Sequence, residues 1–424
     1  MYAFSATAFF AAAACLIFVP AVAGPILWVS LAFAAGIIMR YLVLGIVCRL
    51  PRREAAGEVV RVPSMVFLIP CLNELPSLQK TVPAMRQLSY PGRLLFCYVC
   101  ESASTDGTVE YVRELAQQDP RVVLMVKPTP PSGRGAAIRY GIGQAREADV
   151  IAFLDADHVL DQSSLEEVGR AFGRSDPPAV LQGACASLNE FCTPLTRLLS
   201  IERRWMEAIE LDAGPRLGGA SFFGGGQGFF RSALLKDERF SIDDSMILDD
   251  IDLSCRLVLH GCRVRFVPRV ATRSLQPERV SEFLDQRFRW MRGWVQVAAK
   301  CLLPVFRHPG TPLAVRMDLL RLVLLPYSGA VLYAMFAVAG AALVTGYPCG
   351  VPTWAVAASL LWPLLLGLQP YLAGTGRGGL KEIPLVLLGI PLLFLVYSSL
   401  CAASLVDMYA LRRRVRYSKT DKQF

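Results

Sequence analysis

The sequence predicts an α/β domain with a mostly parallel sheet, flanked by transmembrane α-helices. Apolar residues concentrate before about residue 50 and after about residue 318. The hydrophobic fraction of 54% and the mean hydropathy of +0.41 exceed what a water-soluble domain usually shows. Between the apolar flanks, short apolar runs alternate with amphipathic stretches over residues 64–184, which is typical of strands joined by helices in a parallel sheet.

The N-terminal flank predicts a pair of helices. Residues 3–22 and 26–48 are each long enough to cross a hydrocarbon core, which takes about 20 helical residues. The first stretch lacks a basic start, and apolar residues resume after Gly24-Pro25. This pattern favours a retained helical hairpin over a cleaved signal peptide.

Composition shifts divide the whole chain into five parts. They are a transmembrane helical hairpin over 1–50, a soluble domain over 51–277, an amphipathic interfacial segment over 278–317, transmembrane helices over 318–410 and a basic tail over 411–424.

Three apolar stretches follow the amphipathic segment, near residues 319–345, 353–372 and 383–409. Together with two N-terminal crossings, three crossings here would put the basic tail and the soluble domain on opposite sides of a membrane, against the positive-inside tendency. Either one stretch is re-entrant or interfacial, with a break at Pro326, Pro384 or Pro391, or the basic tail departs from that tendency.

The formal charge of +9 does not indicate nucleic acid, because no nucleic-acid motif accompanies it. Basic residues instead follow the apolar segments, at Arg49, Arg52 and Arg53 and again over 412–416, where they would bind anionic headgroups. The predicted partners therefore include membrane lipids and exclude nucleic acid. The twelve cysteines are scattered and favour small buried side chains over a disulfide framework.

Four apolar runs, at residues 65–69, 94–100, 122–126 and 150–154, predict the strands of the sheet. In open α/β sheets, ligands bind beyond the carboxyl ends of the strands. The fourth run ends in Asp155-Ala156-Asp157, whose carboxylates suit a hard divalent cation that bridges phosphates. The alternative is that these acids only cap a following helix.

Other polar motifs follow in order along the chain. Residues 69–74 and 100–108 close the first and second strands, Leu248-Asp249-Asp250-Ile251-Asp252 opens a helix, and Gln286-Arg287-Phe288-Arg289-Trp290 lies on the amphipathic segment. In this order and spacing, over residues 64–300 and the flanking helices, the chain resembles glycosyltransferase family 2. It is most similar to the membrane-integrated branch that includes the cellulose, chitin and hyaluronan synthases. The resemblance implies a GT-A-like nucleotide-sugar-binding domain.

The resemblance also implies roles for single residues. Asp250 would be the catalytic general base, and Asp155 and Asp157 would hold Mg²⁺ or Mn²⁺ at the diphosphate. The nucleotide sugar would be bound by Glu101, Arg134, Asp155, Asp157, Gln286, Arg289 and Trp290. Gln286, Arg289 and Trp290 match the family's Gln-x-x-Arg-Trp motif completely.

Several positions depart from the family's pattern. Glu101 stands where an Asp is usual, Ser102 replaces a second Asp, and Arg134 replaces the Lys of a Gly-Lys-Gly-type segment. Leu248 and Asp249 replace the Thr and Glu of the Thr-Glu-Asp triplet.

Physical chemistry supports these roles independently. Sugar transfer needs a carboxylate to take the acceptor proton, and it needs positive charge to stabilise the leaving diphosphate. Arg289 offers a bidentate fork for phosphate, and Trp290 offers a flat surface for a sugar ring. The same aromatic segment also fits an amphipathic helix at headgroup depth, and both interpretations can hold together.

The acids around Asp250 are crowded. Repulsion among Asp249, Asp250 and Asp252 should raise at least one pKa, whereas the positive end of the following helix should favour the ionised form. Asp249 and Asp252, three residues apart, are predicted to share one helical face, with Asp250 on another.

A glycine run between aromatic pairs covers residues 222–230. Glycines allow close approach of backbone to a ligand. In the family this place lines the acceptor site, which implies acceptor contacts from Gly225, Gly226 and Gln227. The alternative is an edge strand with core phenylalanines.

The predicted function is inverting, metal-dependent transfer from a nucleotide-diphosphate sugar, with a UDP-sugar favoured, to a growing polysaccharide that passes through the membrane helices. His158, His260 and His308 form no ligand cluster in the sequence, and no Ser-His-Asp or Cys-His order indicates a covalent intermediate. An alternative is addition of one sugar to a lipid carrier. A transporter with a nucleotide-binding domain is disfavoured, because ionisable residues lie near the ends of the apolar segments. The predicted location is a bacterial inner membrane, with the catalytic domain in the cytoplasm, and the partners are the donor, a glycan or lipid-linked acceptor and lipids.

Overall fold

The computed structural model describes residues 20–52, 58–145, 147–345, 351–375 and 382–412. At its centre lies an eight-stranded sheet in the order β3-β2-β1-β4-β7-β6-β8-β5. The strands are β1 (Met65–Cys71), β2 (Leu94–Glu101), β3 (Val122–Lys127), β4 (Val150–Leu154), β5 (Val159–Leu160), β6 (Val180–Ser187), β7 (Gln227–Arg231) and β8 (Val264–Ser274).

The first four strands are parallel neighbours, which confirms both the predicted strands and the mostly parallel sheet. β7 is antiparallel to both β4 and β6, β5 is antiparallel to β8, and β6 is parallel to β8. β7 begins at Gln227, directly after the glycine run, so that segment is a loop followed by an internal strand and not an edge strand.

Helices cover both faces of the sheet because consecutive residues of its central strands are apolar, so both faces are apolar. In β1, Phe67 packs in one hydrophobic cluster, whereas Leu68 packs in a second cluster on the opposite face. The longer helices are α1 (Pro20–Val47), α2 (Leu75–Arg86), α3 (Thr108–Gln118), α4 (Arg134–Gln144), α5 (Gln162–Phe172), α6 (Pro194–Met206), α7 (Asp249–Leu259), α8 (Val280–Arg307), α9 (Leu313–Val323), α10 (Leu325–Thr345), α11 (Thr353–Leu361) and α12 (Ile383–Leu405). Shorter segments are the π-helices Glu207–Ala213 and Val406–Ala410, the 3₁₀ helix Glu238–Phe240, and the α-helical turns Gly214–Arg216, Ser232–Leu235, Pro363–Leu366 and Gln369–Leu372.

The apolar helices α1, α10, α11 and α12 share one hydrophobic cluster, which includes Leu27, Leu332, Val356 and Ile390. By length and composition, Leu27–Val47 and Ile383–Ala410 are apolar enough to cross a membrane. This finding agrees with predicted flanking transmembrane helices, and the number of crossings stays a prediction.

The helix boundaries differ from the predicted ones in two places. α1 continues through Gly24 and Pro25, where the sequence predicts a break, and residues 3–19 lie outside the described part of the chain. An internal proline is tolerated when neighbouring apolar packing offsets the lost hydrogen bond. α9 extends across the predicted boundary at residues 317 and 318.

Prolines interrupt the C-terminal stretches at only some of the predicted positions. The chain turns at Leu324, just before Pro326, and so separates α9 from α10. Pro384 lies in the first turn of α12, and Pro391 lies inside that helix without ending it. The stretch over 353–372 is instead divided into three short helices, two of which begin at prolines or one residue before them.

Asp149 joins the beginnings of the two central strands β1 and β4. Its Oδ2 accepts hydrogen bonds from the Ser64 backbone N (2.8 Å) and Oγ (2.7 Å), and its Oδ1 accepts one from Arg61 (2.6 Å). Although burial raises the pKa of Asp149, the hydrogen bonds from Ser64 and Arg61 lower it below its usual value. The ends of these same strands carry the polar motifs.

We predict that Asp149→Asn lowers the free energy of unfolding by about 1–2 kcal/mol at pH 7, because an amide NH₂ cannot accept these hydrogen bonds. The carboxylate stabilises the fold above the ordinary aspartate pKa of about 3.9, and this contribution is lost as pH falls through the lower folded pKa. Chemical denaturation of the detergent-solubilised protein at pH 7 and pH 3, followed by circular dichroism, measures both effects. Asp176→Asn, at an exposed position, is the control. An equal loss at both pH values would contradict the prediction.

Candidate active site

A cavity of about 970 Å³ lies at the carboxyl ends of β1, β2 and β4. Residues at or just after the end of each of these strands line it, among them Asn73, Glu101, Asp155 and Asp157. The cavity also reaches residues of α6, α7 and α8 and continues between the apolar helices. The strand ends, the predicted base and the Gln-x-x-Arg-Trp segment therefore meet in one space.

The turn after β4 brings three potential metal ligands together. One ligand atom from each of Asp155, Asp157 and His158 lies within 4.8 Å of the others. The turn is closed by a hydrogen bond from the His158 backbone N to the Asp155 carbonyl oxygen (3.0 Å). Two carboxylates and an imidazole fit a divalent cation such as Mn²⁺, so the residues present suit the predicted metal.

Sequence reasoning missed His158 as a candidate ligand. His158, His260 and His308 form no ligand cluster in the sequence, and none of them was expected to bind the metal. The available signal was the position of His158 next to Asp157, at the end of a buried strand. Its Nδ1 lies 3.1 Å from the Thr272 hydroxyl oxygen, which fixes the ring.

Arg134, the first residue of α4, lies between two acids. Its Nε donates to Asp155 Oδ1 (2.8 Å), and its Nη1 donates to Asp249 Oδ2 (2.6 Å). Burial by itself would lower the pKa of Arg134, but the carboxylates of Asp249, Asp155 and Asp250 raise it above its usual value. Its buried Nη2 has no hydrogen-bond partner among the described residues, and Arg134 lines the cavity.

Glu101 organises the loop that leads into α4. Its Oε1 accepts a hydrogen bond from the Gly133 backbone N (2.7 Å), and its Oε2 accepts one from the Ser132 hydroxyl (2.6 Å). Gly133 has a φ of 119°, a conformation that favours glycine. Glu101 thus holds the backbone that leads to Arg134, and it also lines the cavity, whereas its contact with a nucleotide sugar stays a prediction.

The three crowded acids of α7 have different surroundings. Asp252 is fully buried and pairs with Arg256 (2.8 Å) and Lys300 (2.7 Å), outside the cavity lining. Asp249 lines the cavity and binds Arg134. Asp249 and Asp252, which were predicted to share one helical face, thus lie in different environments.

Asp250 lines the cavity, and only the Ile251 backbone N (2.9 Å) donates to it within its own helix. Burial, followed by repulsion from Asp249, raises the pKa of Asp250 to about 7. The sequence predicts a raised pKa from repulsion alone, and the structure adds burial as the larger cause. A carboxylate with this pKa is suited to accept a proton near neutral pH.

The glycine run packs against Asp250 and against His158 of the turn after β4. Gly225 and Gly226 have φ values of 71° and 70°. A Cβ at Gly225 would lie 2.5 Å from Asp250 Oδ2, and a Cβ at Gly226 would lie 2.7 Å from His158 Cε1. Both glycines line the cavity, and their missing side chains allow the loop to lie against Asp250 and against the turn that holds Asp155, Asp157 and His158.

Gln227 differs from the two glycines beside it. It is fully buried in β7, its Nε2 donates to the Ala184 carbonyl oxygen, and it is not part of the cavity lining. The structure therefore gives no contact through which Gln227 would bind the predicted acceptor.

The matching residues of α8, Gln286, Arg289 and Trp290, all line the cavity. Gln286 Oε1 is buried without a hydrogen-bond partner among the described residues. Arg287, which sequence reasoning did not single out, lies 4.1 Å above the Trp290 ring, and its Nη2 is 3.5 Å from Glu202 Oε2. The aromatic residues on each side of Arg287 were the available signal for this stacking.

A second group missed from the sequence comes from α6 and the π-helix that follows it. Glu202, Arg203 and Glu207 also line the cavity. In the sequence this region resembles an ordinary amphipathic helix, and only the folded chain brings it to the site.

Comparison with known proteins shows which family this chain is similar to. Residues 63–293 match the family model described as "Glycosyltransferase like family 2". The chain is 26% identical over 261 residues to "Probable glycosyltransferase YdaM" of Bacillus subtilis, covering 58% of each chain. It is 24% identical over 251 residues to the poly-beta-1,6-N-acetyl-D-glucosamine synthase of Staphylococcus epidermidis, covering 59% of each. The alignments thus span about three fifths of the length of these curated relatives.

A solved structure shares the fold. The mannosyltransferase PcManGT from Pyrobaculum calidifontis, in complex with GDP-Man and Mn²⁺, aligns with 92% of this chain and 99% of its own, with a TM-score of 0.62 and 18% identity. This likeness confirms the predicted GT-A-like α/β fold. Because the family model covers more than half of the residues, the chain belongs to the glycosyltransferase family 2-like family.

Proposed function

We propose that this protein is an inverting, metal-dependent glycosyltransferase that moves a sugar from a nucleotide-diphosphate donor to an acceptor delivered from a membrane. The observation that supports this most directly is the convergence of Asp250, Arg134 and the Asp155-Asp157-His158 turn on one cavity. A UDP-sugar is the favoured donor on the basis of the family resemblance.

The bond changes follow from this arrangement. An acceptor hydroxyl attacks the anomeric carbon, its proton passes to Asp250, and the bond from that carbon to the diphosphate oxygen breaks. Arg134 and Arg289, which both line the cavity, bind the leaving diphosphate. Asp155, Asp157 and His158 would hold a divalent cation, which would supply further positive charge to stabilise the leaving group.

Two acceptors are candidates. The named activity of the staphylococcal relatives favours a growing polysaccharide, which would pass between the apolar helices. The apolar lining of the cavity beyond α6 favours a lipid carrier that receives one sugar. Sizing of the radiolabelled product separates them, since one yields a polymer and the other a single addition.

A screen of radiolabelled nucleotide sugars with membranes containing the protein tests the proposed activity. Incorporation of sugar into a larger or lipid-soluble product from one donor would support it. Failure of transfer from every uridine and guanosine diphosphate sugar, with correctly folded protein, would refute it.

We predict that an excess of chelator abolishes transfer and that Asp157→Asn lowers kcat/KM at least about 100-fold, because the diphosphate loses the charge of the cation. Binding of Mn²⁺, measured by electron paramagnetic resonance with UDP present, should weaken in the same variant. Asp176→Asn, which removes an exposed carboxylate outside the cavity, should leave both quantities unchanged. Full transfer activity in excess chelator would exclude the metal role.

We predict that kcat/KM rises with pH to about pH 7 and then levels off, because Asp250 must be ionised to accept the proton and its pKa lies at about 7. Asp250→Asn should reduce transfer by about 10²- to 10⁴-fold and leave donor affinity nearly unchanged, since the lost interaction forms mainly in the transition state.

Two controls accompany the Asp250 variant. Its thermal midpoint should not fall, because removal of a buried, repelled carboxylate removes no ion pair. Asp244→Asn, which alters an acid paired with Arg139 outside the cavity lining, should keep the wild-type pH profile. Retained turnover in Asp250→Asn, or donor binding lost together with turnover, would move the base to another acid such as Asp249.

We propose that the catalytic domain faces the cytoplasm of a bacterial inner membrane, where nucleotide sugars are made, with Arg49, Arg52 and Arg53 favouring that orientation. Among the described cysteines, Cys192 is the exposed one. In a Cys192→Ser background, a cysteine at the exposed position Glu110 should react with an impermeant maleimide only after the cells are permeabilised. Labelling of Glu110→Cys in intact cells would reverse the orientation, and the Cys192→Ser parent corrects for other thiols.

A further inference from the structure

The cavity changes character along its length. Its charged end lies at the strand ends, and its other end is lined by side chains of α1, α10 and α12, including Phe33, Ile37, Leu332, Ile390, Leu393 and Phe394. α10 and α12 add few hydroxyl groups to the cavity lining, at Ser328, Tyr397 and Ser398, so a glycan placed there would leave most of its hydroxyl groups without hydrogen bonds, which is unfavourable. A hydrocarbon chain has no such cost and gains from burial of its CH₂ groups.

α6 lies where the two ends of the cavity meet. It packs against β6 on the sheet side and against α12 on the apolar side. The Leu198 side chain lies 2.7 Å from where a Cβ of Gly389 would be, so α6 and α12 are in close contact. Arg203, on α6, lines the cavity at this junction.

Arg203 differs from other arginines that line the cavity. Four of them hold carboxylates: Arg40 and Arg321 both pair with Glu210 and Asp318, Arg287 with Glu202, and Arg134 with Asp155 and Asp249. Within the described parts of the chain, the guanidinium of Arg203 makes no hydrogen bond and no close ion pair. Burial by itself would lower the pKa of Arg203, but Cys185 and the carboxylates of Glu207, Glu202 and Asp157 raise it above its usual value.

The charge of Arg203 is only partly offset. Burial raises the pKa of Glu207 to about 7, so this carboxyl is partly protonated at neutral pH, and its Oε1 already accepts a hydrogen bond from the Cys185 backbone N (2.8 Å). A guanidinium with free donors in a buried cavity is suited to bind a phosphate group.

We propose that the acceptor is an amphiphile whose hydrocarbon chain lies between α1, α10 and α12 and whose phosphate is bound by the guanidinium of Arg203. This inference rests on the proposed transferase function and selects a lipid-borne acceptor for it. The phosphate anchors the acceptor, and the attacking oxygen belongs to a hydroxyl that the anchored molecule carries towards Asp250. The bond changes are those of the proposed transfer, and Arg203 takes no proton.

Binding of farnesyl phosphate and of farnesol to the full-length protein in a nonionic detergent tests the proposal. The wild-type protein should bind farnesyl phosphate about 10- to 100-fold more tightly than farnesol, which is the difference in affinity expected from a charge-assisted hydrogen bond. Arg203→Gln should lose this preference while it binds farnesol and UDP as before, and Arg203→Lys should keep part of it because the charge remains.

Arg204→Gln is the matched control, because the neighbouring Arg204 donates to Glu190 (2.6 Å) and does not line the cavity. Equal affinity of the wild-type protein for farnesyl phosphate and farnesol, or an equal loss in the Arg203 and Arg204 variants, would overturn the proposal. Competition by inorganic phosphate as strong as that by farnesyl phosphate would also overturn it, since the ligand would then be a free anion.

Nucleotide-sugar transfer, measured in the same preparations, tests the transferase function separately from the binding of an anionic amphiphile. Absence of transfer with an intact preference for farnesyl phosphate would refute the transferase function and leave the anionic amphiphile site. Transfer without a preference for farnesyl phosphate would refute the anionic amphiphile site and leave the transferase function.

Discussion

The site depends on the position of Arg134 between two carboxylates that belong to different parts of the fold. Asp155 follows β4 and Asp249 opens α7, and the guanidinium lies 2.8 Å and 2.6 Å from their oxygens. Without a cation between them, these acids and Asp250 would repel one another in a buried space. Since burial penalises every unpaired charge, the carboxylates and Arg134 stabilise each other's ionised forms.

The same arrangement separates the roles of the acids. Asp249 and Asp155 are held by Arg134, and Asp252 is held by Arg256 and Lys300. Asp250 has no such cation in hydrogen-bond contact among the described residues, and burial raises its pKa to about 7. Burial also raises the pKa of Asp249, but Asp249 is in an ion pair with Arg134, so Asp250 is the acid that can take up a proton without loss of an ion pair among the described residues.

The cavity connects two environments that favour different molecules. Its strand-end part offers donors, carboxylates and an aromatic ring, whereas its far part offers aliphatic and aromatic side chains of the apolar helices. α6 and α8 lie between these two parts, and each contributes a charged residue to the cavity lining, Arg203 from α6 and Arg287 from α8. This layout suits a reaction that joins a water-soluble donor to an acceptor held in an apolar medium.

Much of this could be predicted from the sequence, because it rests on local patterns. Apolar runs determine strands, strand ends deliver polar residues such as Asp155 and Asp157 to one edge, and Gln286, Arg289 and Trp290 lie close together on one helix. The tertiary structure alone decided that Asp249 and Asp250 line the cavity and Asp252 does not. It also decided that His158 lies beside Asp155 and Asp157, that Gln227 is buried in β7, and that Arg203 comes to the site from α6. These outcomes depend on contacts between residues far apart in the chain, and spacing along a sequence carries no information about which distant side chain will neutralise, bury or expose a given group.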